Sequence, residues 1–141
     1  MKVIAGGMAE YTNSDSGSVN IIGLRQSLSL DSVPSRIDVS FFLVVVPSEE
    51  EYGKKTVVGL EMFAPDGAPV VQAAEINVEL AAPDVQDAIS TTHLHLRAAG
   101  LQLPVFGRYK YRFYTGPEKA TIFEAEYGVF ATNLSQSGDN L

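Results

Sequence analysis

His93 and His95 stand two positions apart in a stretch, Ser90 to Arg97, that reads as strand. On an extended chain this spacing puts both imidazoles on one face, at a separation able to bracket a zinc or nickel ion. Such a site needs further ligands, and the candidates are carboxylates on an adjoining strand, Glu75 or Glu79. Without them the pair reads as exposed strand histidines that titrate near neutrality. No metal and no cofactor is therefore assigned, with His93 and His95 the candidates a metal would use. Asn13-x-Asp15-x-Gly17 has the opening of a calcium loop, but its acids are wrongly spaced and Leu24 stands where a terminal bidentate Glu belongs, so a plain turn is the better reading.

Other chemistry is excluded by what the chain lacks. There is no cysteine, hence no thiolate nucleophile, thiolate metal site or disulfide framework. No serine sits in a Gly-x-Ser-x-Gly elbow, no His-Glu-x-x-His helix is present, and Gly6-Gly7 is not followed by a lysine-bearing phosphate loop. Glu75 and Glu79 would lie on an open sheet face, where nothing raises a pKa or excludes water for acid–base work. The chain is expected not to be an enzyme.

The elements that would position these groups are strands. Ile76, Val78 and Leu80 alternate with Glu75, Asn77 and Glu79, the pattern of a half-buried antiparallel strand. Ahead of it, Ala64-Pro65-Asp66-Gly67-Ala68-Pro69 is a hairpin signal, with Pro presetting φ and Gly supplying the left-handed position. Phe41 to Val46 is apolar on both faces, so that strand is central or covered on both sides. Val3 to Tyr11 reads as a first strand, weakened at Gly6-Gly7 by a bulge or a close approach. Ser18 to Leu24 reads as a second, and Gln26 to Leu30 as its extension past a bend at Gly23. Pro83 to Ile89 is the one stretch that fits a short helix.

Leu103-Pro104-Val105-Phe106-Gly107 runs into Arg108-Tyr109-Lys110-Tyr111-Arg112-Phe113, which alternates basic and aromatic residues. Strands 90–97 and 107–115 either form a hairpin, sharing one basic outer face, or lie in different sheets. The loop between them is too apolar for an exposed tip, and Leu103-Pro104 before Gly107-x-Tyr109 looks like the tyrosine corner of immunoglobulin-like sandwiches. That favours the crossing. The last strand, Ala120 to Thr132, then pairs with 107–115 across a turn at Gly116-Pro117. One register sets Lys110 opposite Glu124 and Arg108 opposite Glu126. Its one-residue alternative sets Arg112 against Glu124 and Lys110 against Glu126. Either neutralises the basic stripe internally. The inner face sets Tyr109, Tyr111 and Phe113 against Phe123, Ala125 and Tyr127, the expected centre of the core.

Ala9-Glu10-Tyr11, a polar turn, Asn20-Ile21-Ile22-Gly23, the Pro65-Asp66-Gly67 hairpin and Leu103-Pro104-x-x-Gly107-x-Tyr109-x-Tyr111 together resemble the motifs of a family of small uncharacterised bacterial proteins. Glu10 departs from that pattern's usual Asp and Thr12 from its usual Ala. The resemblance implies a β-sandwich of unknown function and carries over no functional residues.

The expected architecture is an all-β, immunoglobulin-like antiparallel β-sandwich of about 7–9 strands, with at most one short helix near 83–89. Residues 1–132 form one domain and 133–141 a polar tail. The net charge of −7 argues against nucleic acid, and no apolar run approaches the length of a membrane helix. A cytoplasmic location is expected, or a virion if the chain is phage-encoded. The function this points to is a non-catalytic structural or protein-interaction module, a subunit of a larger bacterial or phage assembly, with protein partners or self-association. Interaction candidates are Arg97, Leu101, Leu103 and Val105. The alternative is a sandwich that binds a small ligand or metal.

Overall fold

A computed structural model describes residues 1–15, 18–85 and 88–132. The described residues form nine strands: β1 (Lys2–Asp15), β2 (Ser18–Arg25), β3 (Ser27–Leu30), β4 (Ser35–Val46), β5 (Lys55–Phe63), β6 (Pro69–Glu79), β7 (Thr92–Leu103), β8 (Gly107–Thr115) and β9 (Ala120–Ala131). They make two sheets, β2-β1-β4-β7 and β3-β9-β8-β5-β6. By neighbours, β4 and β7 take the places of strands B and E of an immunoglobulin domain, and β5, β8 and β9 those of C, F and G, with β6 added beside C. The chain is therefore an immunoglobulin-like sandwich, and the 90–97 and 107–115 segments lie in different sheets.

The crossing is built at the start of β8. The Tyr109 hydroxyl donates to the Val105 carbonyl at 2.6 Å and accepts from the Val105 N–H at 3.1 Å. Tyr109 is fully buried, so one phenol closes the turn and plugs the core below it. From there the aromatic layer runs in the expected register, Tyr109 opposite Tyr127, Tyr111 opposite Ala125 and Phe113 opposite Phe123. Tyr111 also meets Phe41 of the other sheet edge-on, with ring centroids 5.5 Å apart. Met8, Leu43, Val45, Leu60, Met62 and Val129, all fully buried, fill the space around this stack.

β4 is covered on both faces. Val39, Phe41, Leu43 and Val45 enter the core, while Phe42 and Val44 form a second, smaller cluster with Ala9 and Val19. The cover comes from the β1–β2 ribbon. β1 pairs with β4 as far as Ala9, opposite Ser40. Beyond it the Glu10 carbonyl meets Arg97 and Thr12 meets His95, so the ribbon doubles back over the outer face of its own sheet.

Several expectations are corrected. Gln26 to Leu30 does not extend β2: the chain changes sheets at Gln26, and β3 pairs parallel with β9, Ser27 with Gly128 through Leu30 with Ala131. Leu28 and Leu30 thereby pack against the core. The irregularity in β1 falls between Val3 and Ala5, not at Gly6-Gly7. A side chain at Gly6 would crowd Leu43 and Phe123, so close approach is the reason for glycine there. No helix forms at the described residues of 83–89, where the Ala88 N–H donates to the Val85 carbonyl at 3.1 Å. Among the described residues the one helical turn is 3-10, Glu49–Glu51. The expected tail, 133–141, and part of the turn before β2 lie outside the described residues. Among the described residues no helix is long and apolar enough to cross a membrane.

Candidate functional site

Pairing with β4 sets His93 beside Val44, His95 beside Phe42 and Arg97 beside Ser40, so the three form a row on the outer face of β7. His93 Nε2 lies 3.2 Å from Thr91 Oγ1, and His95 Nδ1 lies 2.8 Å from Thr12 Oγ1. Burial under the β1–β2 ribbon, and then the neighbouring His93, hold the His95 imidazole below the usual histidine range. Arg97 donates to the Glu10 carbonyl at 3.0 Å and to Ser40 Oγ at 3.4 Å, and its guanidinium stands 6.0 Å from the centre of the Tyr11 ring. The carboxylates considered as further metal ligands do not join this row. Glu75 and Glu79 belong to β6, in the other sheet, and Glu75 accepts a 2.9 Å hydrogen bond from the Tyr114 hydroxyl. Among the described residues no three His, Asp or Glu converge on a point able to hold a metal.

The apolar interaction candidates are placed differently from the expectation. Leu101 and Leu103 are 5% and 0% exposed and belong to the core. β7 continues to Leu103, so what reads as an apolar loop is the inward side of a strand. Val105 is half-buried with both backbone groups held by Tyr109. Only Arg97 of the four stays at the surface.

On the outer face of the other sheet the basic stripe of β8 stands opposite acids in the second of the two registers: Lys110 faces Glu126 and Arg112 faces Glu124. The sequence reading missed a third strand's part in this. Arg112 Nε donates to Glu61 of β5 at 2.7 Å, and its Nη1 donates to the Lys119 carbonyl and to Thr121 Oγ1. Arg108 makes only a loose, exposed contact with Glu126, 3.6 Å. Also missed was Tyr114, which lies flat over Gly59 and is 1% exposed, with the Arg112 and Lys119 cations 5.1 and 5.4 Å from its ring centre. Gly59, the one glycine of β5, was the available signal.

Two further places could receive something. Glu10, Arg25, Leu28, Asp38 and Tyr127 line a depression of about 280 Å³ at the seam where β2 hands over to β3. Arg25 and Glu10 form an ion pair there. The Tyr127 hydroxyl is buried and has no hydrogen-bond partner among the described residues. On the β1–β2 ribbon, Tyr11, Ile22 and Leu24 present 46%, 55% and 63% of their surface to solvent. They are large apolar side chains brought close by the pairing of Tyr11 with Ile22 and Ala9 with Leu24.

Comparison with known proteins adds the following. A family model described as "Family of unknown function (DUF6941)" matches residues 7–124. No curated protein matches the chain. Among solved structures, a Pseudomonas fluorescens alkylpurine DNA glycosylase AlkC bound to DNA containing an abasic site analog is 12% identical, with a TM-score of 0.49. The alignment covers 91% of this chain but 30% of that one, so the chain spans under a third of the glycosylase. An immunoglobulin-like protein from Pseudomonas aeruginosa is 15% identical over 91% of this chain and 94% of that one, with a TM-score of 0.39.

Proposed function

The chain belongs to the family of unknown function DUF6941, and we propose that it is a non-catalytic protein-interaction module, a β-sandwich that works by packing into a larger assembly. The observation that carries this reading is the exposed apolar group on the β1–β2 ribbon. Tyr11, Ile22 and Leu24 are each about half exposed or more on neighbouring strands. Contiguous apolar surface on a soluble domain marks a place where another macromolecule sits. The groups able to do chemistry support the same reading, because the histidines bond to threonines and Arg108 and Arg112 of β8 to glutamates.

The test is recovery of the tagged chain from its native host with cross-linking, beside light scattering of the purified chain. A complex or oligomer that is lost when Ile22 and Leu24 are both changed to Asp, with the thermal midpoint kept, is the expected result. A monodisperse monomer at high concentration with no cross-linked partner would overturn it.

A ligand-binding role is the second reading, and it is favoured by one observation, the orphan Tyr127 hydroxyl beside Arg25, Glu10 and Asp38. A thermal-shift screen against sugars, nucleotides and metals separates the two readings, because an interaction module shows no small-molecule stabilisation.

A further inference from the structure

β3 is short and pairs only with the end of β9, Ser27 with Gly128 through Leu30 with Ala131. β9 itself starts at Ala120. Along residues 120–127 it is therefore bonded to β8 on one side and, among the described residues, has no strand on the other. An uncovered edge is a template for pairing with another chain. Between the same stretch and β1 lies a depression of about 350 Å³, lined by Gly6, Leu24, Gln26, Phe123, Ala125 and Glu126. Phe123 belongs to the central aromatic stack yet is only partly buried, whereas Phe113 beside it is buried. On the facing strand Gly6 brings no side chain to fill the space. The outward side of this edge carries two carboxylates with little to hold them. Glu124 makes no ion pair among the described residues, because the Arg112 opposite it is committed to Glu61, and Glu126 has only the loose contact with Arg108. Arg25, on the rim of the depression, is already balanced by Glu10.

We infer that an extended segment of a partner protein adds to residues 120–127 of β9, in line with β3, and lodges one aromatic side chain in the depression. Its other inward residues are apolar, and its outward ones are lysine or arginine, beside Glu124 and Glu126. Strand addition draws affinity from backbone hydrogen bonds and specificity from alternate side chains. The space suffices for a ring, since a cavity of about 150 Å³ already holds benzene. The ring would join Phe123, which itself meets Tyr111 and Phe113 in tilted contacts. A second copy fits less well, because antiparallel pairing of two β9 edges would bring Glu124 and Glu126 against the same carboxylates of the other copy. The inference rests on the interaction reading above and adds the edge used and the anchor residue of the partner.

The chain contains no tryptophan, so a tryptophan in the added segment reports its own surroundings. The test uses the full chain and a nine-residue peptide in which valine and lysine alternate, with tryptophan in place of the central valine. Control peptides carry alanine for the tryptophan, glutamate for the lysines, proline for the two valines nearest the tryptophan, or the same residues in block order. N-acetyltryptophanamide serves as the free ring. The expected result is binding of the first peptide about tenfold tighter than any control, read by anisotropy of an attached fluorescein. Tryptophan emission should shift to the blue in the unlabelled peptide, and amide exchange should slow in residues 120–127. Ala125→Leu, which fills the depression, should remove the advantage of tryptophan over alanine while leaving the thermal midpoint in place. The peptide comparisons on the unaltered chain stand whether or not that variant folds. No binding, equal binding of any control peptide or of the free ring, or protection at another edge in place of β9 would overturn the inference. The interaction reading is tested separately by recovery of a partner from the host, so either can fail alone.

Discussion

At the scale of single residues, two tyrosines test how closely the interior is satisfied. Tyr127 buries a hydroxyl with no partner among the described residues. A buried polar group without a hydrogen bond costs on the order of 1–3 kcal/mol, so Tyr127→Phe should leave stability unchanged or raise it by about 1 kcal/mol in urea denaturation. A clear loss would mean that the hydroxyl is bonded in solution. Tyr114 makes the opposite case. A Cβ at Gly59 would stand 2.1 Å from Tyr114 Cζ, and the tyrosine is held from above by Glu75. Gly59→Ala should cost about 1–3 kcal/mol by overpacking. The same change in a Tyr114→Ala background should cost much less, and that non-additivity is the signature of direct contact. Additive effects would place the strain elsewhere.

Along the elements, the β8 stripe separates structural charges from ornamental ones. Arg112, 28% exposed, is fixed by Glu61, a backbone carbonyl and a threonine. Arg108, 76% exposed, is held by one loose contact. Arg112→Ala should therefore destabilise by about 1–3 kcal/mol and Arg108→Ala by less than about 0.5 kcal/mol, read from denaturation midpoints. Equal effects would show that the Glu61 contact contributes nothing. The β8–β9 pairing was legible because alternation of aromatic and charged residues leaves only two registers, and both put the aromatics inside. Glu61 was not, because partners on a third strand depend on sheet order. The same reason hid the position of β3: Ser27 to Leu30 alternates as any half-buried strand does, and nothing local says which sheet receives it. Leu101 and Leu103 were misread for a related cause, since an apolar stretch before Pro104 looks alike as a loop or as the end of a long strand. Of the surface, the exposed Tyr11, Ile22 and Leu24 were invisible in sequence because their exposure is decided by the ribbon folding back.

For the whole molecule, the core's phenols predict its response to alkali. Burial, and for Tyr114 also the hydrogen bond to Glu75, pushes Tyr111 and Tyr114 up to about 12, and burial raises Tyr109 and Tyr127 as well. In the unfolded chain these groups ionise near the ordinary value of about 10. The native state thus keeps protons that the unfolded state gives up, so this stabilising contribution is complete below pH 10 and is lost as pH climbs toward 12. Tyrosinate absorbance at 295 nm should rise together with loss of far-ultraviolet circular dichroism in that window. Full ionisation near pH 10 with the dichroism unchanged would contradict the buried aromatic layer.

The parallel pairing of β3 with β9 also carries a consequence in time. Ser27 leaves the ribosome well before its partner Gly128, which lies near the end of β9. At ordinary synthesis rates the interval between them is about 5–20 s, during which Leu28 and Leu30 have no place to pack. β9 is likewise the strand that brings Phe123 and Tyr127 to the aromatic stack. Until β9 is made, β3 has no partner in its sheet, and Tyr111 and Phe113 lack the Phe123 side of the stack.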